Sequence, residues 1–397
     1  MKRILHVTAS INPQLGGVSQ AIVTMMKVLS VCHTENEVLC LDDPLSEFLK
    51  SGTSVIYALG PGKSSWCYSY KLIPWLKSNI RRYDIVIVHG LWLYHSYAIN
   101  KLLCKERNLK NQNLKILIMP HGMLDPYFQK NKSRKLKAIR NFFYWKLFEN
   151  KAVNNADGLL YTSREELRLA YQSFKPFYPK KDYVVGLGVE EPPTLLPYMT
   201  TAFFNKCPYL DNKKYFLFLS RIDPKKGVDI LIEAYSQVLQ QYKNTIEGIP
   251  KLVIAGPGLD TGYGKQMLDV VNQDKNLKRS VFFPGMLCGD VKLGAFYGCQ
   301  AFILPSHQEN FGIAVVEALS CAKPVLISDK INIWREIFDN DAGIVAEDSL
   351  EGTLSLFKKW FQLSVSQKQS MAINAGKTYE TKFAIEPVGK KLAEALF

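Results

Sequence analysis

At 397 residues the chain is too long for one ordinary compact core and suits two domains of roughly 150 to 200 residues each. Its 47% hydrophobic and 22% charged residues are those of a globular rather than a disordered chain, and the formal charge of +14 favours partners that carry phosphate. The longest apolar runs, such as IVIV at 85–88 and LVIA at 252–255, fall far below the ~20 residues that span a bilayer, so no transmembrane helix is expected.

The opening MKRILHVTAS has a basic start but an apolar segment too short for a signal peptide, which points to the cytoplasm. Short β-branched runs then alternate with amphipathic stretches. ILHVT (4–8) reads as a strand, followed by a helix near 18–30, then EVLCL (37–41), VIYAL (55–59) and DIVIVHG (84–90). A helix near 94–105, KILIMP (115–120), a helix near 133–153 and GLLYT (158–162) complete this half. Such alternation implies βαβ units and a doubly wound sheet. Positive charge is concentrated here: residues 1–200 hold 27 Lys and Arg against 15 Asp and Glu, and residues 101–150 alone hold 12 against 3.

EEPPTLLPYMTTAFFNKCPYLDNKK (190–214) holds four prolines and little periodicity, and reads as an inter-domain connection. The alternation restarts with YFLFLSR (215–221), a helix over 227–241, KLVIAG (251–256), a helix near 263–273 and VFFPG (281–285). It continues through a helix near 289–298, AFILP (301–305), a helix over 312–321, PVLIS (324–328) and AGIVA (342–346). The expected division is a first domain over 1–190, a linker over 191–213 and a second domain over 214–380, with a helix at about 380–397 packing back on the first. Two such sheets would face a central cleft at their strand C-terminal ends, where ligands bind in doubly wound folds. The eight cysteines include no CxxC pair and read as reduced core thiols.

Three stretches carry residues suited to chemistry. In QLGGVSQAIV (14–23), Gly16 and Gly17 precede a helix whose N-terminal N–H groups favour an anion; a bare turn fits the diglycine equally well, and GxGxxG is absent. In LSRIDPKKGVDILIEAY (219–235), Arg221 ends a strand and Lys226 lies in the loop before a helix. Together they suit a diphosphate, and a solvated basic turn is the alternative, which fits Lys225 better. In SHQENFGIAVVEALS (306–320), Glu309 precedes a helix and Glu317 lies inside it. From Gly312 to Glu317 the rise is about 7.5 Å, so the two carboxylates would meet different parts of one elongated ligand. Asn310 lies beside Glu309, and the N–H groups of Phe311, Gly312 and Ile313 between the two carboxylates suit a phosphate.

The stretch ENFGIAVVE resembles the E-x7-E motif of retaining glycosyltransferases of family 4, whose fold is GT-B, an α/β arrangement of two Rossmann-like domains. The resemblance covers nearly the whole chain: QLGGVSQ, SRIDPKKGVDILIEA, VIAGPG and CAKPVLIS are similar to the family's successive motifs. It implies that Arg221 and Lys226 bind the donor diphosphate, Glu309 the transferred sugar and Glu317 the ribose, with Gly16 and Gly17 closing over the phosphates. His121 in PHGMLDP matches a family histidine whose side chain and carbonyl lie near the donor sugar, and His89 competes as an acceptor-side residue. The HGMLDP region is similar to cyanobacterial heterocyst-envelope polysaccharide glucosyltransferases, which points to UDP-glucose.

The resemblance thus implies a retaining hexosyltransferase with no cofactor and no bound metal, acting on a polysaccharide or lipid-linked saccharide. The basic and aromatic segment 130–153 suits peripheral docking on an anionic membrane, at the inner face of the cytoplasmic membrane; a core helix with a solvated basic face is the other reading. Alternatives are a basic nucleic-acid-binding protein, which would lack any recognisable module, a non-catalytic binding protein of the same fold, and another GT-B enzyme such as an epimerase or phosphorylase.

Overall fold

A computed structural model describes residues 1–15, 17–30, 32–50, 55–106, 114–130, 134–210, 212–242 and 248–397. Gly16 and residues 131–133 of the basic segment lie outside the described residues. The chain forms two compact units, Met1–Gly188 with Ile385–Phe397, and Val189–Ala384.

The first unit is built on a seven-stranded parallel sheet of β1 (Lys2–Val7), β2 (Thr34–Cys40), β3 (Val55–Ala58), β4 (Ile85–His89), β5 (Lys115–Met119), β6 (Gly158–Tyr161) and β7 (Asp182–Val184). The order β3-β2-β1-β4-β5-β6-β7 reverses direction between β1 and β4. Both faces are covered, because successive side chains of one strand enter different cores. Ile85 and Ile87 of β4 pack with Met25, Leu29, Val388 and Leu392, from the helices Gly17–Ser30 and Ile385–Leu396. Val86 and Val88 pack instead with Leu76, Ile99, Leu102 and Trp145 on the other face.

The second unit holds a six-stranded parallel sheet of β8 (Tyr215–Leu219), β9 (Lys251–Ala255), β10 (Val281–Gly285), β11 (Ala301–Leu304), β12 (Val325–Ser328) and β13 (Gly343–Ala346). Its order, β10-β9-β8-β11-β12-β13, reverses between β8 and β11. Residues Pro197–Lys206, within the stretch expected to be a connection, form a helix. Pro197 pre-sets its first turn, and Met199 and Phe203, spaced i and i+4, are buried. The helix lies so close to Gly289–Gly298 that a Cβ on Gly294 would collide with the Met199 carbonyl.

Among the described residues no helix is long and apolar enough to cross a membrane. The seven described cysteines are unpaired, and Cys288 is exposed rather than in a core.

Candidate functional site

In an open parallel sheet, the loops leaving adjacent strands diverge where the strand order reverses, which leaves a crevice at the carboxyl ends. In the second unit the loops after β8 and β11 flank that point. The first carries Arg221 and Lys226, the second Glu309. The two loops are fastened together: the Lys225 carbonyl accepts the His307 N–H at 2.9 Å and the Ser306 hydroxyl at 3.0 Å. Gly227 turns the chain into the helix Val228–Gln241 at φ +68°, where a Cβ would collide with the Pro305 carbonyl; only glycine fits both the backbone angle and the space.

Glu309 is held from the other side by a strand-like bridge to Ile331. Its N–H donates to the Lys330 carbonyl and its carbonyl accepts the Asn332 N–H, each at 2.9 Å. Its side chain forms an ion pair with Lys226. Lys226 is buried at 6% exposure, whereas Arg221 is exposed. The family resemblance assigns Lys226 to the diphosphate and Glu309 to the sugar; in this structure each is the other's partner.

Gly312, at φ +77°, starts the helix Ile313–Ser320, whose first N–H groups have no intrahelical acceptor. A Cβ on Gly312 would press against Ile331, Val315 and the Glu309 stem. Phe311 is buried edge-on to Phe383, so its side chain belongs to the core, and Asn310 accepts from Asn332 at 3.4 Å. Glu317, inside the helix, pairs with Lys292 at 2.7 Å. Lys292 was not singled out in the sequence, because it lies 25 positions from its partner on another helix, Gly289–Gly298. Both acids are thus already paired with lysines, Glu309 with Lys226 and Glu317 with Lys292, and Arg221 lies exposed on the loop that carries Lys226. Among the described residues no three His, Cys, Asp or Glu side chains converge as metal ligands would.

In the first unit the reversal falls between β1 and β4. Gly17 begins the helix Gly17–Ser30 after β1, and nothing lies within 4 Å of where its Cβ would be. His121 follows β5, next to β4 in the sheet, in the left-handed region at φ +53°. Its Nε2 lies 3.0 Å from His89 Nδ1, and burial lowers its pKa to about 4, so it is neutral at physiological pH. His89 is 1% exposed, enclosed by His6 and His121, and cannot touch a ligand itself; the acceptor-side role considered for it is withdrawn on that ground.

Two doubly wound units, each gathering polar groups at its own topological switch point, define the GT-B class. The model of Glycosyltransferase Family 4 matches residues 15–190, and that of Glycosyl transferases group 1 matches residues 200–377. The chain belongs to glycosyltransferase family 4.

Among curated relatives, it is 23% identical over 259 residues to a glycosyltransferase of Methanocaldococcus jannaschii, covering 63% of this chain and 58% of that one. It is 24% identical over 273 residues to an alpha-1,3/1,6-mannosyltransferase of Dictyostelium discoideum, covering 62% of each. It thus spans about three fifths of the length of these relatives. Among solved structures, HepE of Anabaena in complex with UDP-glucose superposes with a TM-score of 0.72 at 16% identity, over 100% of this chain and 99% of that one. At that identity the likeness speaks to the fold.

Proposed function

We propose that the chain is a retaining hexosyltransferase that takes glucose from UDP-glucose and transfers it to a saccharide or lipid-linked saccharide, without a metal ion. The observation that carries the reading is the pairing of both motif carboxylates with lysines, beside an exposed arginine, at the switch point of the second sheet. A nucleoside diphosphate would bring two or three negative charges to these paired lysines and to Arg221. It would compete with Glu309 for Lys226 and release that carboxylate to accept sugar hydroxyls. Glu317 suits the ribose hydroxyls. Arg221 and the N–H groups of Gly312 and Ile313 suit the phosphates. From the first unit, Gly16, Gly17 and His121 are the residues proposed to meet the donor.

In the proposed reaction the bond from the anomeric carbon to the diphosphate oxygen breaks, and the bond to the acceptor oxygen forms on the same face. The acceptor's hydroxyl proton passes to the departing diphosphate oxygen. Lys226, Lys292 and Arg221 are proposed to supply the positive charge that the leaving group needs, and the family resemblance gives the His121 carbonyl the part of stabilising the electron-poor anomeric centre.

A second observation favours an anionic membrane as the place of action. In the helix Lys135–Tyr144 and the π-turn Trp145–Glu149, Leu136, Ile139, Phe142, Phe143 and Leu147 are 50% to 85% exposed. The exposed cations Lys135, Lys137, Arg140 and Lys146 are interleaved with them. A solvated basic face would not carry these apolar side chains, and a nucleic-acid backbone would not need them; a lipid surface satisfies both sets.

Calorimetric titration with UDP, GDP, ADP and UDP-glucose tests the site. Uridine-selective binding that survives excess chelator and is lost in Arg221→Ala and Glu317→Ala is expected. Absence of nucleotide binding, or binding indifferent to both substitutions, would overturn the reading.

A further inference from the structure

A line of hydrogen bonds crosses four neighbouring strands of the first sheet and ends at His121. It starts at the Leu29 carbonyl, which can only accept. The Thr34 hydroxyl donates to it at 2.8 Å, so the Thr34 oxygen is left to accept, and it does so from Asn36 Nδ2 at 2.8 Å. That orients the Asn36 amide and turns its Oδ1 to His6 Nε2, 3.2 Å away. An amide oxygen cannot donate, so His6 carries its proton on Nε2 and accepts through Nδ1. His89 Nε2 lies 3.0 Å from that Nδ1 and must be the donor. His89 Nδ1 is then a lone pair, 3.0 Å from His121 Nε2, which must donate in turn. Each ring has one proton to place while neutral, so the direction set at a backbone carbonyl passes through three imidazoles to the last nitrogen, His121 Nδ1.

The sheet order makes this possible. Asn36 is on β2, His6 on β1 and His89 on β4, with His121 just past β5, and these strands are consecutive neighbours. His6 and His89 follow Ile4 and Ile87 by two residues, so they share the sheet face that those side chains bury. The rings are nearly parallel, with centroids 5.2 Å apart and interplanar angles of 23° and 27°. His95 donates its own Nε2 proton to the His89 carbonyl at 2.9 Å and fixes the backbone of the central ring.

We propose that Thr34, Asn36, His6 and His89 are positioning residues that hold His121 in the Nε2–H tautomer, so that its Nδ1 lone pair accepts a hydroxyl of the donor sugar at the carboxyl end of β5. The sugar-facing part rests on the function proposed above; the tautomer does not. A ring free to choose its tautomer would present an N–H in part of the population and lose that acceptor. Burial keeps the neutral state, lowering His6 and His121 to about 4.

Histidine-selective 15N labelling of the full chain, which has six histidines, reads each ring's tautomer from its nitrogen shifts. His6, His89, His95 and His121 are expected to carry the proton on Nε2 near neutral pH, with His307 contrasting because its Nδ1 faces Asp348. Asn36→Leu, checked to melt as a folded protein, removes the acceptor that sets the direction and should shift His121 toward the Nδ1–H form. Asn36→Asp keeps an acceptor for His6 and should restore the original pattern. In titrations, Asn36→Leu should narrow the advantage of UDP-glucose over UDP by about tenfold, the weight of one hydrogen bond, and leave UDP itself unchanged.

A His121 proton on Nδ1 in the unmodified protein, or the same His121 tautomer in Asn36→Leu, overturns the relay. If the unmodified protein binds no UDP-glucose, the functional reading and the sugar-facing role fall together, and the ring spectra still decide the relay.

Discussion

Glu309→Ala should destabilise the ligand-free protein, and the loss should be recoverable in two ways. Lys226 is 6% exposed, so its ammonium has little water to replace the carboxylate that the substitution removes. Stranding one member of a buried ion pair costs about 3–5 kcal/mol. The Glu309 side chain is 24% exposed, so water refills part of its place and about 2 kcal/mol is the working figure. For a unit of this size that corresponds to a melting temperature lower by about 4–8 °C.

Scanning calorimetry on Glu309→Ala, Lys226→Met and the double variant Lys226→Met/Glu309→Leu measures it. The double variant should lie closer to the unmodified protein than Glu309→Ala does, because no charge is left without a partner. Millimolar UDP should raise Glu309→Ala more than it raises the unmodified protein, since a phosphate oxygen takes the vacated place. An unchanged melting temperature in Glu309→Ala, or a double variant as unstable as the two single losses added together, would refute the reasoning.

Three further outcomes concern the first unit. His6, His95 and His121 are lowered to about 4 by burial, and burial holds His89 well below its ordinary range, against about 6.5 when unfolded, so the unfolded chain binds more protons across this window. Stability from these rings is fully present above pH 6.5 and disappears as pH falls through about 4. A buried ring shifted this far is worth about 3 kcal/mol, and a pH series of thermal melts should drop steeply across this window; a flat series would refute the neutral-ring assignment. Glu149, raised to about 7 by burial, works in the opposite sense: its contribution is present below about 4.5 and lost as pH rises to about 7, so Glu149→Gln, which removes this opposing slope, should make the acid-side drop steeper. On vesicles rich in phosphatidylglycerol, Leu136→Ser with Phe143→Ser should weaken binding at least tenfold, because full burial of each such side chain is worth about 1.5–3 kcal/mol and half of that for the two together exceeds the ~1.4 kcal/mol of a tenfold change. Binding indifferent to either the substitutions or the anionic lipid would exclude docking by this face.

The doubly wound architecture was legible because buried parallel strands announce themselves as unbroken apolar runs between polar punctuation, as in IVIVH of β4 and AFIL of β11. β7 escaped notice because DYV is three residues long, lies at the sheet edge and is half-buried throughout. The helix Pro197–Lys206 was hidden by the prolines on either side of it and by an apolar period too short to stand out.

The loops carrying Arg221, Lys226 and Glu309 could be read locally, since each lies within a few residues of a strand end. Their mutual pairing could not, because it depends on β8 and β11 being neighbours although 81 positions separate Lys225 from the Ser306 hydroxyl that binds it. The histidine line is the extreme case. His6 and His89 are 83 positions apart and His89 and His121 a further 32, so only the strand order brings them side by side.

The helix Ile385–Leu396 gives the chain an unusual order of completion. Val388, Leu392, Ala395 and Leu396 fill the core against Met25, Val28 and Leu29, and the Lys115 ammonium donates to the Ala395 and Leu396 carbonyls at 2.7 and 3.2 Å. During synthesis every residue of the second unit therefore leaves the ribosome before the first unit has its last wall. The part begun first is finished last, with an apolar groove beside Met25 and Leu29 open throughout translation of the second unit. A stop anywhere in the second half would leave that groove permanently uncovered, so damage to the distal end of the message should appear as aggregation of the proximal unit.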